Sequence, residues 1–121
     1  MERRMFHRIF LSIPLNYREV GGDPDFVDPQ LTRYGHSHDI SFGGVRIQVP
    51  SQIIRGRIIN LKMILPVTDY CRRISVNSQV CWTKFQEDQK DYEVGVHFVG
   101  INHDTLNIFH EFFEEMNNRF S

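Results

Sequence analysis

The first eight residues of the chain concentrate side chains that bind anions. Arg3, Arg4 and Arg8 stand there against a single acid, Glu2. Crowded guanidinium groups repel one another, so a specific role for them requires an anion. Arginine pairs bidentately with a phosphate or with the O6/N7 edge of guanine. This segment therefore predicts recognition of a planar, anionic ligand, whereas a basic terminus without a specific role is the alternative.

A second segment, at residues 39–44, carries the complementary chemistry. The ionised carboxylate of Asp39 accepts hydrogen bonds and suits the N1–H and N2–H donors of guanine. The Ser41 hydroxyl and the backbone N–H groups near Gly43 and Gly44 suit phosphate oxygens, because glycine permits a close approach. The alternative is an ordinary turn in which Asp and Ser bond their own backbone. Together, the two segments match guanine plus phosphate.

Other polar constellations are weaker candidates. His36, His38 and Asp39 form an H-x-H-D cluster, in which the two histidines share one strand face and could bind a metal ion. No further ligand follows at a recognisable metal-site spacing, so we expect polar histidines and no metal. Cys71 and Cys81 are ten residues apart, which favours a buried or a surface thiol over catalysis. The sequence contains no G-x-S-x-G, H-E-x-x-H, Walker A or Rossmann glycine pattern. We therefore expect no catalytic residues, no enzyme activity and no cofactor.

Length and charge limit the classes of protein. At 121 residues the chain has room for one domain, and a formal net charge of −1 disfavours binding along long nucleic acid. A small barrel that binds single-stranded nucleic acid is disfavoured for the same reason. No apolar run is long enough to cross a membrane, and the N-terminus lacks the apolar core of a secretory signal. Two cysteines without an export signal predict reduced thiols and a cytoplasmic location.

The elements that must position these residues are mostly strands. Ile and Val number 22 against 6 Leu and no Ala, which favours a pleated sheet over helices. Apolar residues alternate in five stretches separated by turn signals: 9–17, 45–49, 59–65, 74–82 and 92–98. Residues 34–42 are also extended but mostly polar. Pro14 places an edge or a bulge in the first stretch, and residues 18–33 form a long loop. We predict a mainly β fold, a six-stranded antiparallel barrel.

The C-terminal segment changes period. Large apolar residues recur there at spacings of three and four: Leu106, Phe109, Phe112, Phe113, Met116 and Phe120. This spacing predicts an amphipathic α-helix over residues 102–118 that packs on the barrel or on a partner. The domain thus divides into an Arg-rich arm at 1–8, a barrel at 9–100 and the helix. Trp82 shares strand parity with Ile74, Val76 and Val80, which predicts a core position for its side chain.

The chain resembles the PilZ-domain family, the bacterial receptors for cyclic di-GMP. Arg4-Met5-Phe6-His7-Arg8 is similar to its R-x-x-x-R motif, and Asp39-Ile40-Ser41-Phe42-Gly43-Gly44 to its D/N-x-S-x-x-G motif. Val80-Cys81-Trp82 and Gly95-Val96-His97-Phe98 also resemble strand segments of the family. The resemblance covers about residues 3–116.

This resemblance implies a stand-alone receptor or adaptor without catalytic activity. Cyclic di-GMP would draw the arm over the barrel, so that Arg4 and Arg8 meet Asp39 and Ser41, and the conformational change would regulate an unidentified effector protein. In the family, the residue before R-x-x-x-R influences ligand stoichiometry, and Arg3 at this position favours a stacked pair of dinucleotides. Trp82 or Lys84 would contact an outer guanine. The alternative is a PilZ-like protein-interaction module that acts without nucleotide, with Phe112, Phe113 and Phe120 forming its partner surface.

Overall fold

The computed structural model describes residues 8–20, 32–67 and 70–120 of the chain. The predicted arm residues Arg3 and Arg4 and most of the predicted 18–33 loop lie outside the described residues. The described elements are seven strands and one helix: β1 (Ile9–Phe10), β2 (Pro14–Glu19), β3 (Arg33–Ile40), β4 (Gly44–Val49), β5 (Ile58–Val67), β6 (Tyr70–Gln86), β7 (Asp91–Gly100) and α1 (His103–Phe120).

Six of these strands close into an antiparallel barrel. The strand order β3-β2-β5-β6-β7-β4 returns to its start because β3 pairs with β2 through its first half and with β4 through its second half. The two-residue β1 pairs with Asp39 and Ile40 at the end of β3, on the edge opposite β4. Closure leaves each of the six strands with two neighbours, which removes the exposed sheet edges that invite aggregation. The predicted six-stranded barrel with a C-terminal helix is confirmed.

The first predicted strand is interrupted before Pro14, which has no backbone N–H for a sheet ladder. The chain leaves the sheet at residues 11–13 and resumes as β2 at Pro14. Buried Ser37 of β3 fills the gap, because its hydroxyl accepts from the Ile13 N–H at 2.8 Å and donates to the Leu11 carbonyl. One hydroxyl thus satisfies two backbone groups that the break would leave unpaired.

The core consists of the inward-facing residues of all six barrel strands. Its largest fully buried aliphatic side chains are Ile40, Ile47, Ile59, Leu61, Met63, Leu65, Val49, Val76 and Val80. Tyr17 is 2% exposed and also belongs to this core. Burial raises the pKa of the Tyr17 phenol above its ordinary value of 10.0; Arg33 opposes this shift and Glu19 adds to it.

Helix α1 packs its aromatic face against β5 and β6. The Asn102 side chain caps the helix by accepting from the Thr105 N–H at 2.8 Å. Phe109, Phe112 and Phe113 are at most 1% exposed. The expectation that Phe112 and Phe113 form a partner surface is therefore wrong; the side chain of Phe120 lies outside the described residues. Within those residues, no helix is long and apolar enough to cross a membrane.

A bulge in β6 overturns the predicted core position of Trp82. Val80 pairs with Val96 of β7, but Trp82 pairs with the adjacent Gly95, so Cys81 is an extra residue on β6. An extra residue reverses the strand's alternation beyond it, which places Trp82 on the outer face of the barrel. Val80 is 1% exposed, as predicted, whereas Trp82 is 41% exposed.

Candidate functional site

Sheet register brings four residues into one row across the outer face of the barrel. Asp39 of β3 pairs with Arg46 of β4, Arg46 with Gly95 of β7, and Gly95 with Trp82 of β6. A register shift between Ser37 and Asp39 sets Asp39 opposite Arg46. We call Asp39, Arg46, Gly95 and Trp82 the outer row. It joins a carboxylate, a guanidinium and an indole on one surface.

Asp39 is buried although it lies on the outer face. Its side chain is 4% exposed, and an Arg46 Nη2–H donates to its Oδ2 in an ion pair. Arg46 also donates through Nη1 to Glu93 Oε1 at 3.2 Å, and Gln86 donates to Glu93 Oε2 at 2.8 Å. A buried carboxylate needs such partners because its charge has lost contact with water. Arg46 therefore holds Asp39 on one side and is itself held by Glu93.

Arg8 approaches the same carboxylate from the N-terminal side. Its Nη1 lies 3.8 Å from Asp39 Oδ2, and its side chain remains 59% exposed. The following strand β1 sets this approach, because Phe10 pairs with Asp39 and Ile9 with Ile40. An exposed ion pair at this distance is weak. The Arg8 guanidinium is thus close to Asp39 but only weakly bound to it.

The bend at residues 41–44 lies beside the outer row. The Ser41 N–H donates to the Gly44 carbonyl at 2.8 Å, and the Ser41 hydroxyl lies 3.2 Å from both the Gly44 nitrogen and its carbonyl oxygen. The Phe98 N–H donates to the Gly43 carbonyl at 2.8 Å. Ser41 therefore closes a turn on its own backbone, as the alternative of an ordinary turn predicted for it, whereas Asp39 pairs with Arg46. The turn is also hydrogen-bonded to β7.

Gly44 is required by a close approach of two backbones. A Cβ at this position would lie 2.1 Å from the Val96 carbonyl oxygen and 3.0 Å from the His97 Cα. The neighbouring Gly43 has no atom within 4 Å of a Cβ built on it. Gly44 is thus needed for β4 to pack closely against β7, whereas the space beside Gly43 is open.

An aromatic stack anchors the bend to the helix. The ring of Phe42 stacks on Phe113 of α1 with a centroid separation of 4.2 Å and also contacts His110 at 5.2 Å. Stacked rings contribute about 0.5–1.5 kcal/mol beyond their buried area. A displacement of the bend would therefore also disturb the packing of α1.

Trp82 forms a flat aromatic surface at the far end of the outer row. Its indole covers Gly95 so closely that a Cβ there would lie 2.2 Å from Nε1 and 2.3 Å from Cε2. The missing side chain of Gly95 lets the ring lie down on the sheet while one face stays exposed. Half-exposed aromatic rings of this kind stack nucleobases in many nucleic-acid-binding proteins.

These groups surround one open cleft of about 320 Å³. Of the residues predicted from the sequence to bind ligand, it is lined by Arg8, Asp39, Ser41, Gly43, Gly44 and Trp82. Both sequence segments thus reach the same surface. Lys84, the other predicted contact, lies on β6 opposite Glu93 and does not line the cleft.

Several polar residues at this surface were not predicted to bind ligand. Arg46 and Glu93 form the ion network with Asp39, while Cys81 and His97 line the cleft, with the Cys81 Sγ 2.8 Å from His97 Nδ1. Alternation in Gly44–Val49 does predict an outward Arg46, but the bulge that makes Asp39 its partner has no sequence signature. The sequence left open whether Cys81 is a buried or a surface thiol, and the structure shows that it is exposed.

The H-x-H-D cluster separates in the structure. His36 is exposed and bonds Gln48 through Nε2 at 2.7 Å, while His38 lies edge-on to Phe10. Asp39 faces Arg46 instead. Among the residues that the structure describes, no group of three His, Cys, Asp or Glu side chains is placed to hold a metal ion.

Comparison with known proteins identifies the family of this chain. The model of the PilZ domain matches residues 2–115, whereas a comparison with curated protein sequences found no match. The solved structure of the PilZ domain of YcgR from Escherichia coli with c-di-GMP matches with a TM-score of 0.67 at 10% identity, over 98% of this chain and 94% of that chain. The PilZ domain of CeSA from a cellulose-synthesizing bacterium matches with a TM-score of 0.59 at 13% identity, over 95% of this chain and 98% of that chain.

A longer protein also shares the fold. The inhibitor of motility MotI (DgrA) from Bacillus subtilis matches with a TM-score of 0.72 at 15% identity over 98% of this chain. This chain spans 52% of that protein's length. At such identities the structural likenesses show the fold, whereas the family model covers most of the sequence. The chain belongs to the PilZ domain family.

Proposed function

We propose that this domain is a receptor for cyclic di-GMP and that the cleft between Arg8 and the 41–44 bend is its binding site. The observation that carries the proposal is the meeting of both sequence segments on one surface, with Arg8 Nη1 3.8 Å from Asp39 Oδ2. The relative YcgR, whose PilZ domain was solved with c-di-GMP, supports the choice of ligand.

Each group in the cleft has a role that its chemistry permits. Asp39 accepts the N1–H and N2–H donors of one guanine, and Arg8 reaches O6/N7 or a phosphate. The Ser41 hydroxyl exchanges its bonds within the turn for a phosphodiester oxygen, beside the open surface at Gly43. Arg4 completes the arm in this proposal, although it lies outside the described residues. The ligand provides the anions that the arm arginines require.

Trp82 provides the stacking surface for an outer guanine. Its exposed face lies in the same outer row as Asp39. Lys84, two residues further along β6, is the next cation on this face. Arg3 adds a third positive charge to the arm, so we expect a stacked pair of dinucleotides per domain.

The proposed function requires no catalysis, metal or cofactor. Binding orders the arm against the barrel, and an effector protein reads whether the arm is free or docked. Ordering four residues costs about 4–8 kcal/mol, which offsets part of the contact energy. We therefore expect micromolar to high-nanomolar affinity, about −8 to −10 kcal/mol. The proposal places the domain in the cytoplasm, where free thiols stay reduced.

Calorimetric titration with cyclic di-GMP tests the proposal. Arg8→Ala and Asp39→Ala should each weaken binding by about 1–3 kcal/mol, roughly fivefold to 150-fold, and thermal unfolding should report a retained fold. Arg73→Ala serves as the control, because Arg73 is exposed on β6 and does not line the cleft. Cyclic di-AMP is the ligand control, since its base lacks the N1–H and the 2-amino group. Unchanged affinity in both cleft variants would remove the proposal.

The second candidate is a protein-interaction module that acts without nucleotide. The similarity to MotI, described as an inhibitor of motility, favours it. Exposed apolar side chains outside the cleft offer contact surface, among them Tyr34 at 69% and Ile64 at 47% exposure. The absence of binding heat with cyclic di-GMP, together with self-association in size-exclusion chromatography, would decide in its favour.

A further inference from the structure

We propose that Arg46 is a positioning residue for ligand recognition, because it holds the Asp39 carboxylate in place and directed toward the cleft. This inference rests on the proposed function for its consequence and on the ion network for its cause. Arg46 lies outside both sequence motifs, two residues after Gly44.

The first step is the burial of Asp39. Its side chain is 4% exposed, so an isolated charge there would have little water to stabilise it. Two cations contact it, Arg46 through a hydrogen-bonded ion pair and Arg8 at 3.8 Å. The Arg8 side chain is 59% exposed and the Arg46 side chain 24%. Arg46 is therefore the cation that stays paired with Asp39 when the arm moves to meet a ligand.

The second step is geometry. Arg46 reaches Asp39 Oδ2 through Nη2 and Glu93 Oε1 through Nη1, so one planar guanidinium bridges two carboxylates. Gln86 fixes the other Glu93 oxygen at 2.8 Å. This chain of contacts defines where the Asp39 carboxylate lies before a ligand arrives. A lysine would keep the charge at position 46 but lose the two-pronged grip.

The titratable groups around Asp39 define the controls. Arg8 faces it from the N-terminal side, Arg46 from β4, and Glu93 from β7 through Arg46. His97 of β7 and Cys81 of β6 line the same cleft. A double variant that lacks both the Asp39 charge and the Arg46 charge retains these last two groups and thereby corrects for them.

A ligand-free experiment tests the cause. Urea unfolding of Arg46→Gln and of Arg46→Gln/Asp39→Asn is measured at about pH 7. Arg46→Gln leaves the buried Asp39 carboxylate without its hydrogen-bonded cation, and Asp39→Asn then removes that unpaired charge. The unfolding equilibrium constant of Arg46→Gln should therefore be at least about tenfold larger than that of the double variant. Equal unfolding constants in the two variants would overturn the proposal.

Titration with cyclic di-GMP tests the consequence. Arg46→Gln should weaken binding about tenfold or more, Arg46→Lys less, and the exposed control Arg73→Gln not at all. In an Asp39→Asn background, Arg46→Gln should change affinity less than about twofold, because its effect passes through Asp39. An equal loss in both backgrounds would show that Arg46 contacts the ligand itself and would overturn the positioning role. If the wild-type protein binds no cyclic di-GMP, the proposed function fails, while the ligand-free unfolding constants still decide whether Arg46 holds Asp39.

Discussion

Two adjacent glycines in the 41–44 bend should respond in opposite ways to the same substitution. Gly44→Ala sets a Cβ 2.1 Å from the Val96 carbonyl oxygen, whereas Gly43→Ala sets one in open space. Since ordinary van der Waals contact begins near 3.4 Å, β4 and β7 must part by more than 1 Å at position 44. The obstacle is backbone, which cannot rotate away as a side chain can.

The bonds around the bend determine the size of the effect. The contacts at risk are Ser41 N–H to Gly44 O, Phe98 N–H to Gly43 O, both at 2.8 Å, and the adjoining β4–β7 ladder. At about 0.5–1.5 kcal/mol for each of two or three bonds, Gly44→Ala should destabilise the domain by about 1–4.5 kcal/mol. Gly43→Ala should stabilise it by about 0.4–1 kcal/mol, because alanine restricts the unfolded chain.

Urea unfolding of both variants measures these free energies directly. The expected order of stability is Gly43→Ala, wild type, Gly44→Ala. If the two variants agreed within about 0.5 kcal/mol, the close approach of β4 to β7 would be refuted and with it the geometry of the bend. A Gly44→Ala protein that still folds should also bind cyclic di-GMP more weakly than Gly43→Ala, because its bend is displaced.

Three further outcomes follow from individual side chains. The raised pKa of Tyr17 means that folded protein keeps a proton that unfolded protein loses, so wild-type stability should fall as pH rises above about 10. Tyr17→Phe should abolish that alkaline loss in urea unfolding curves. Ser37→Ala should cost about 1–3 kcal/mol in the same assay, since it leaves the Ile13 N–H buried without its acceptor. Cyclic di-GMP should slow the alkylation of Cys81 by iodoacetamide, read by mass spectrometry, but not that of Cys71, which is exposed outside the cleft; equal protection of both would argue against binding in the cleft.

Local sequence patterns predict the fold where one period dominates. Alternation at 45–49 and 59–65 gives two barrel strands, and the spacing of Phe109, Phe112 and Phe113 gives the helix and its buried face. Pro14 marks the interruption of the first strand because it has no N–H. The partner that repairs the interruption, Ser37, is 24 residues away from Ile13 and leaves no trace in the local pattern.

The site is less predictable because bulges set two of its residues. Trp82 has the parity of a core residue, and the extra residue Cys81 turns it outward onto Gly95. Arg46 faces Asp39 through a shift in the pairing of β3 with β4. Both shifts depend on how neighbouring strands meet, which residue types alone do not encode. The segments 1–8 and 39–44 are predictable from the sequence, because their residue types carry complementary chemistry for guanine and phosphate.

A fluorescence titration of the wild-type protein with cyclic di-GMP tests whether the nucleotide binds in the cleft. Trp82 is the one tryptophan in the sequence and lines the cleft, so its emission reports on that surface. Binding in the cleft should give a saturable change in Trp82 emission, and Asp39→Ala should shift that change to a ligand concentration about fivefold to 150-fold higher. Saturable binding heat with unchanged Trp82 emission would place the nucleotide outside the cleft and contradict the proposed site.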